Sequence, residues 1–262
     1  MMRENWIRIG PHMVKVRFEE DWVRRELLKG FIASFPDSKY EPDLIIVIVS
    51  GFGTSFKNYK VGISETKRAY IFERADYRIL VDKNYKSSVL YIHDALALKH
   101  ALMNLYSAFI VNEGAGVLFH SSCVQEQERA FLFTGNSGAG KSTAARLSAP
   151  RNIMADEATI IHVKQDDIIA YPSPFRSDIP MGIEHTSLKV GGIQSLHQSL
   201  TNNKVLMESP EAIVHLMDKI FYWPVTPEDH KKALQLLRTI VEHVPIYHLY
   251  FRKDSTFWEL IS

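Results

Sequence analysis

The stretch that decides the fold is FLFTGNSGAGKST, Phe131 to Thr143. Gly135, Gly138 and Gly140 fall close together, and Lys141, Ser142 and Thr143 follow at once. Phe131-Leu132-Phe133 reads as a buried strand and Ala144-Ala145-Arg146-Leu147 as a helix. Glycine is a poor interior residue for either element, so the bare backbone must serve the turn between them. Gly135 to Ser142 fits G-x-x-x-x-G-K-[ST]. In such a loop successive backbone N–H groups converge on one point, and the helix that begins there adds its positive end. Gly135, Asn136, Ser137, Gly138, Ala139, Gly140, Lys141, Ser142 and Thr143 are therefore expected to cradle nucleotide phosphates. Lys141 supplies a point charge for the β- and γ-phosphates, and Ser142 a hydroxyl for Mg²⁺.

Upstream, GVLFHSSCVQ, the turn EQER and AFLFT read as a hairpin leading into the loop. Downstream, Pro150 is a break, and NIMA (152–155) is a strand expected to end on Asp156-Glu157. In an α/β sheet the C-terminal ends of neighbouring strands face one crevice, which directs these acids at the same phosphates. ATIIHV and IIAY make a further hairpin around Gln165-Asp166-Asp167. SPEAIVHLMDKI is a helix with Ser209 as N-cap and Pro210 at its first position; TPEDHKKALQLLRTIVEH repeats the device with Thr226 and Pro227. The second helix's apolar face is Ala233, Leu236, Leu237 and Ile240, and IYHLYF is a last strand. Alternating helices and strands make this half α/β.

The first ninety residues read as strands: Met13 to Phe18, LIIVIVS (44–50) expected to be buried on both faces, Ala69 to Phe72 and Tyr77 to Val81. SGFGTSFKN (50–58) has two glycines but no Lys-Ser/Thr after them, and reads as a surface loop. From His93 to Val111, Leu98, Leu102, Leu105 and Phe109 recur at helical spacing and Gly114 closes the segment, an amphipathic helix bridging the halves. The expected division is a β-rich lobe over 1–91 and a kinase domain over 92–262 that includes this helix.

The 262 residues are 46% apolar, enough for a substantial core, and the formal charge is +1. No basic block points to nucleic acid or an anionic membrane. The longest apolar run, Leu44 to Val49, is too short to span a bilayer, and Glu4, Asn5 and Arg8 interrupt any signal-peptide core. A lone Cys123 permits no internal disulfide and fits a reducing, cytoplasmic setting. No zinc site is expected, and His93 and His100 have no metal-ligand spacing. A homo-oligomer is neither required nor excluded.

Together, FHSSCVQEQERAFLFTGNSGAGKST and NIMADE resemble the catalytic core of the HPr kinase/phosphorylase family, including smaller relatives that tailor peptides. The resemblance covers roughly Gly116 to Asp178 well and the C-terminal half loosely. It implies a mixed-sheet, ATP-binding P-loop kinase core of the type shared with phosphoenolpyruvate carboxykinases. It implies that Asp156 acts on the acceptor hydroxyl, that Glu157 replaces a second aspartate as a metal ligand beside Ser142, and that His120, fifteen residues before Gly135, lies near the transferred phosphate. The glycine-rich signature that follows the paired acids in true HPr kinases is absent. PSPFRSDIPMGIEHTSL stands there, with Glu184 as the metal-binding acid and Arg176 and Asp178 as substrate or phosphate contacts. The implied activity is ATP- and Mg²⁺-dependent phosphorylation of a serine in a peptide or small protein, such as a lasso-peptide precursor. A small-molecule kinase, for example of free serine, and a non-catalytic nucleotide-binding regulator stay open.

Overall fold

The computed structural model describes residues 2–34, 36, 40–165, 167–177 and 186–261. The chain divides into two compact units, Met1–Asn112 with Tyr222–Asp229, and Glu113–Phe221 with His230–Ser262. Both are built on mixed sheets, so the protein is α/β.

In the first unit, β1 (Arg3–Ile9), β2 (His12–Phe18), α1 (Asp21–Gly30), β3 (Ile32–Ser34), β4 (Leu44–Ser50), β5 (Gly62–Glu65), β6 (Ala69–Glu73), β7 (Tyr77–Asp82), β8 (Ser87–Ile92) and α2 (Ala95–Asn112) follow in order. Their strands lie in the order β3-β1-β2-β4-β8-β7-β6-β5. The strands expected from the period-two runs are present. LIIVIVS forms β4 with a parallel neighbour on each side. Its burial alternates, however: Leu44, Ile46 and Ile48 are buried, while Val49 is exposed. Parallel neighbours alone did not cover the second face. The stretch after β4 carries no strand through residue 61, as the two glycines suggested.

Two elements differ from expectation. α1 lies among residues read as strands; its signal is only Val23 and Leu27 four apart, with Asp21 in the first turn and Lys29 in the last. α2 belongs to the first unit, so the boundary falls at 112/113 rather than 91/92. The helix packs on β7 and β8. Asn104 Nδ2 donates to the Tyr77 hydroxyl at 3.1 Å, and the Tyr106 hydroxyl donates to the Ile9 carbonyl at 2.9 Å. It is buried almost all round from Ala97 to Val111, not along one stripe.

His100, on this helix, is part of a buried polar cluster. Arg74 is 6% exposed and Asp76 fully buried; the guanidinium donates to both Asp76 oxygens, at 2.6 and 2.8 Å. Arg74 Nη2 also lies 2.7 Å from His100 Nδ1. A guanidinium only donates, so this nitrogen accepts and the ring is neutral. Burial, then the Arg74 charge, holds the His100 pKa down at about 4. The rings of Phe56 and Tyr77 cover the guanidinium at 4.7 and 4.5 Å.

The second unit contains β9 (Gly116–Glu126), β10 (Arg129–Thr134), α3 (Lys141–Leu147), β11 (Ile153–Ala155), β12 (Ala158–Lys164), β13 (Asp167–Tyr171), β14 (Leu188–Gln198), β15 (Asn203–Leu206), α4 (Ser209–Met217), α5 (Pro227–His243) from His230 on, β16 (Ile246–Phe251) and a 3-10 helix (Ser255–Leu260). The strand order is β10-β9-β12-β13-β14-β16-β15, and β10 also pairs in parallel with β14, so part of the sheet closes on itself. β10, β14 and β16 all point the same way. Phe131, Phe133, Leu196, Leu249, Phe251, Phe257 and Trp258 form a core with Ala144 and Ala145, pinning α3.

The helix starts are corrected in one case. α4 begins at Ser209 with Glu208 as N-cap, placing Pro210 second. α5 does start at Pro227: Thr226 Oγ1 accepts from the Asp229 amide at 3.2 Å while Asp229 Oδ2 accepts from the Thr226 amide at 2.8 Å. Its four expected apolar residues are buried. No helix among the described residues is long and apolar enough to cross a membrane.

Asp76→Asn leaves the buried Arg74 without its counter-charge. Breaking a buried pair on one side costs about 3–5 kcal/mol, and denaturant unfolding of this variant is expected to show a loss of that order.

Candidate functional site

The hairpin β9–β10 is antiparallel and in register, with Thr134 opposite Ser121. After Thr134 the chain leaves the sheet as the glycine loop and re-enters as α3 at Lys141. Gly135, Gly138 and Gly140 all have positive φ, at 143°, 79° and 107°. At Gly140 a Cβ would also stand 2.8 Å from Phe251 Cζ, so a side chain is excluded twice over. Gln198 Nε2, at the end of β14, donates to the Gly138 carbonyl at 2.8 Å and holds the loop tip.

The paired acids are placed differently from a simple strand end. β11 and β12 both pair antiparallel with β9, and Asp156 and Glu157 form the break between them. Ala158 resumes the ladder opposite His120. The register of one strand therefore brings the histidine to within two positions of the acids. His120 sits in the middle of β9. On the flank of β9 that β10 leaves, the segment 219–221 takes over: Phe119 bridges Ile220, and the His120 amide donates to the Lys219 carbonyl at 2.7 Å.

Neighbouring side chains tie the strand to the loop. Ser122 Oγ donates to the Lys141 carbonyl at 3.0 Å, Thr134 Oγ1 to the His120 carbonyl at 3.0 Å, and Ser121 Oγ to Thr159 Oγ1 at 2.7 Å.

The result is a cavity of about 520 Å³ lined by His120, Lys141, Ser142, Thr143, Asp156 and Glu157 together with Ser137, Gly138 and Gly140 of the loop. Gln198, Ser199, Phe251 and Lys253 close the side formed by the ends of β14 and β16. Such a volume suits a small-molecule or cofactor site. Asp156 is 3% exposed; its Oδ1 accepts from the Ser177 amide at 3.1 Å and its Oδ2 from the Ser177 hydroxyl at 2.8 Å. Arg176 Nε donates to the Ser173 carbonyl at 3.2 Å, and the charge of Asp156 acts on its guanidinium. Asp178 and Glu184 lie outside the described residues.

Sequence reasoning missed Ser177 and Lys219. It singled out the residues on either side of Ser177, but no motif marks the serine itself. Lys219 follows α4, far from the loop in sequence, and carried no signal at all. Its Nζ donates to Asn136 Oδ1 and to Asp218 Oδ2, both at 2.7 Å, and it is 5% exposed. α4 is held to the sheet by His215 on Ser195 (2.7 Å) and by Glu211 on His248 (2.8 Å).

The electrostatics follow from this crowding of cations. Burial, then Lys141 and Lys219, lowers the His120 pKa to about 4. Burial and then Lys219 lower that of Lys141. Lys141 Nζ rests on uncharged acceptors, the carbonyls of Gly135 at 3.0 Å and Asn136 at 3.3 Å. Among the described residues no group of three His, Cys, Asp or Glu side chains is arranged to hold a metal ion. Mg²⁺ does not require one, since it keeps waters and takes one or two carboxylates plus substrate phosphates. The Ser142 hydroxyl and the Glu157 carboxylate, both lining the cavity, fit that need.

Residues 83–262 match the model of a family described as SynChlorMet cassette protein ScmC. The chain belongs to that family. Its matched region contains the whole loop, His120 and both acids. No curated protein matches. Among solved structures, an Hpr(Ser) kinase/phosphatase from Coxiella burnetii is similar over 55% of this chain and 90% of its own, with 10% identity and a TM-score of 0.31. Likeness at that level carries no functional weight, and the function of this ScmC-family chain has to be read from its own site.

His120 is expected to titrate near pH 4 by NMR and to stay neutral between pH 5 and 8. Its folded pKa lies below the unfolded value of about 6.5. It thus contributes stability that is full above that unfolded value and is lost as the pH falls through the folded one. A His120 resonance titrating near 6.5 contradicts this account.

Proposed function

We propose that this protein is an ATP-dependent phosphotransferase that moves the γ-phosphoryl group to a hydroxyl, with a serine of a peptide or small protein as acceptor. The observation that carries the reading is the convergence of a nucleotide-phosphate loop, a neutral histidine and two acids on one cavity. A non-catalytic nucleotide-binding protein has no need of a carboxylate oriented as Asp156 is. The serine acceptor is supported by the resemblance of the His120-to-Glu157 motifs to HPr kinases.

In this reading the loop amides and Lys141 hold the β- and γ-phosphates. Mg²⁺, held by Ser142 and Glu157, neutralises phosphate charge when bound. The acceptor oxygen forms its bond to the γ-phosphorus while the bond to the β–γ bridging oxygen breaks, and ADP leaves with that electron pair. The hydroxyl proton passes to Asp156, whose carboxylate Ser177 keeps aimed into the cavity. His120 faces the same space as a neutral group, able to donate one hydrogen bond without placing a third positive charge beside Lys141 and Lys219.

The test is phosphoryl transfer from γ-labelled ATP, run in parallel on a serine-ended peptide, HPr and free serine. Labelling of free serine alone would move the protein to a small-molecule kinase; no affinity for MgATP by calorimetry would end the phosphotransferase reading. Lys141→Ala is expected to abolish most MgATP binding. Asp156→Asn should lower turnover about 10²–10⁴-fold, the range for a general base, with MgATP affinity kept. The defect of Glu157→Gln should ease as Mg²⁺ is raised.

A further inference from the structure

We propose that Lys219, which Asn136 holds at the glycine loop, is a second phosphate-contacting cation of this site that meets the terminal phosphate of the bound nucleotide. The inference rests on the phosphotransferase reading and adds to it a residue outside the glycine loop.

Four observations lead there. The backbone of 219–221 is hydrogen-bonded to β9 where β10 turns away into the loop, so Lys219 begins beside His120 and points along the path the loop takes. Its ammonium reaches the loop itself, on Asn136 Oδ1 at 2.7 Å. Asn136 also accepts from Lys141 through its backbone carbonyl, so one loop residue holds both lysines with uncharged oxygens. The remaining partner of Lys219, Asp218, has a carboxylate whose side chain is 67% exposed, so water weakens that pairing.

The carboxylate that meets the buried Lys219 is the exposed one of Asp218, and Lys141 Nζ rests on the carbonyls of Gly135 and Asn136. Burying cations in this way is costly unless an anion meets them. A triphosphate brings up to four negative charges into the cavity that His120, Ser137 and Lys141 line, beside the Asn136 that Lys219 holds. Because Lys219 lies on the His120 side rather than the α3 side, its share of that charge is the terminal phosphate, where charge spreads over the oxygens during transfer.

Lys219→Met keeps the methylene volume and removes only the charge. Calorimetry on the full chain with MgATP, MgADP and MgAMP is the experiment. Affinity for ATP is expected to fall about 10-fold or more while that for ADP stays within about 2-fold, as for loss of one charge-assisted contact to a single phosphate. Turnover should fall about 10²–10³-fold, the usual cost of one transition-state donor, and Lys219→Arg should restore part of it. Equal losses for ATP and ADP, or none for either, overturn the proposal. Should Lys219→Met not fold, the ¹³C shift of the Lys219 ε-methylene in wild type decides: it moves with ATP and not with ADP, or the proposal fails. Wild type that binds no nucleotide overturns the phosphotransferase reading itself, whereas wild type that binds ATP beside an unaffected variant overturns the role of Lys219 alone.

Discussion

The second unit depends on the register of β9. One flank of this strand pairs with β10, whose end becomes the glycine loop. The other pairs with β11 and β12, whose break holds Asp156 and Glu157. Side chains on a strand alternate between faces, so a slip of one residue would turn His120 away from the cavity and send Ser121 toward it. The polar side chains of Ser121, Ser122 and Thr134 are spent on holding that register against the neighbouring chain segments.

Charge is the second organising feature. The cavity gathers lysines around a histidine and keeps the histidine neutral. Lys141 rests on carbonyl oxygens of the loop, and Lys219 divides its bonds between the Asn136 amide oxygen and the exposed carboxylate of Asp218. The acids come from the break between β11 and β12, where Ser177 engages Asp156.

The first unit solves a different problem. Its buried Arg74–Asp76 pair is satisfied by bidentate bonding, by His100 and by two aromatic faces. That completeness is what makes a buried ion pair tolerable. The same cluster commits the Nδ1 of His100 to the guanidinium.

The sequence by itself determined the glycine loop, the flanking strand and helix, and the main strands of both units. These signals are local: a period of two, a cap, a left-handed backbone position, each set within a few residues. The loop could be read because its chemistry and its chain order coincide. It also pointed to Asp156 and Glu157 by their place at the end of the strand after the loop helix, and to His120 through resemblance. Only the tertiary structure decided that the acids sit in a break opposite His120, that Ser177 holds Asp156, and that Lys219 reaches Asn136. It also moved α2 into the first unit, since its partners on β7 and β8 make it a core helix there. These facts rest on strand register and on contacts between residues distant in sequence, and neither leaves a periodicity in the chain to be read.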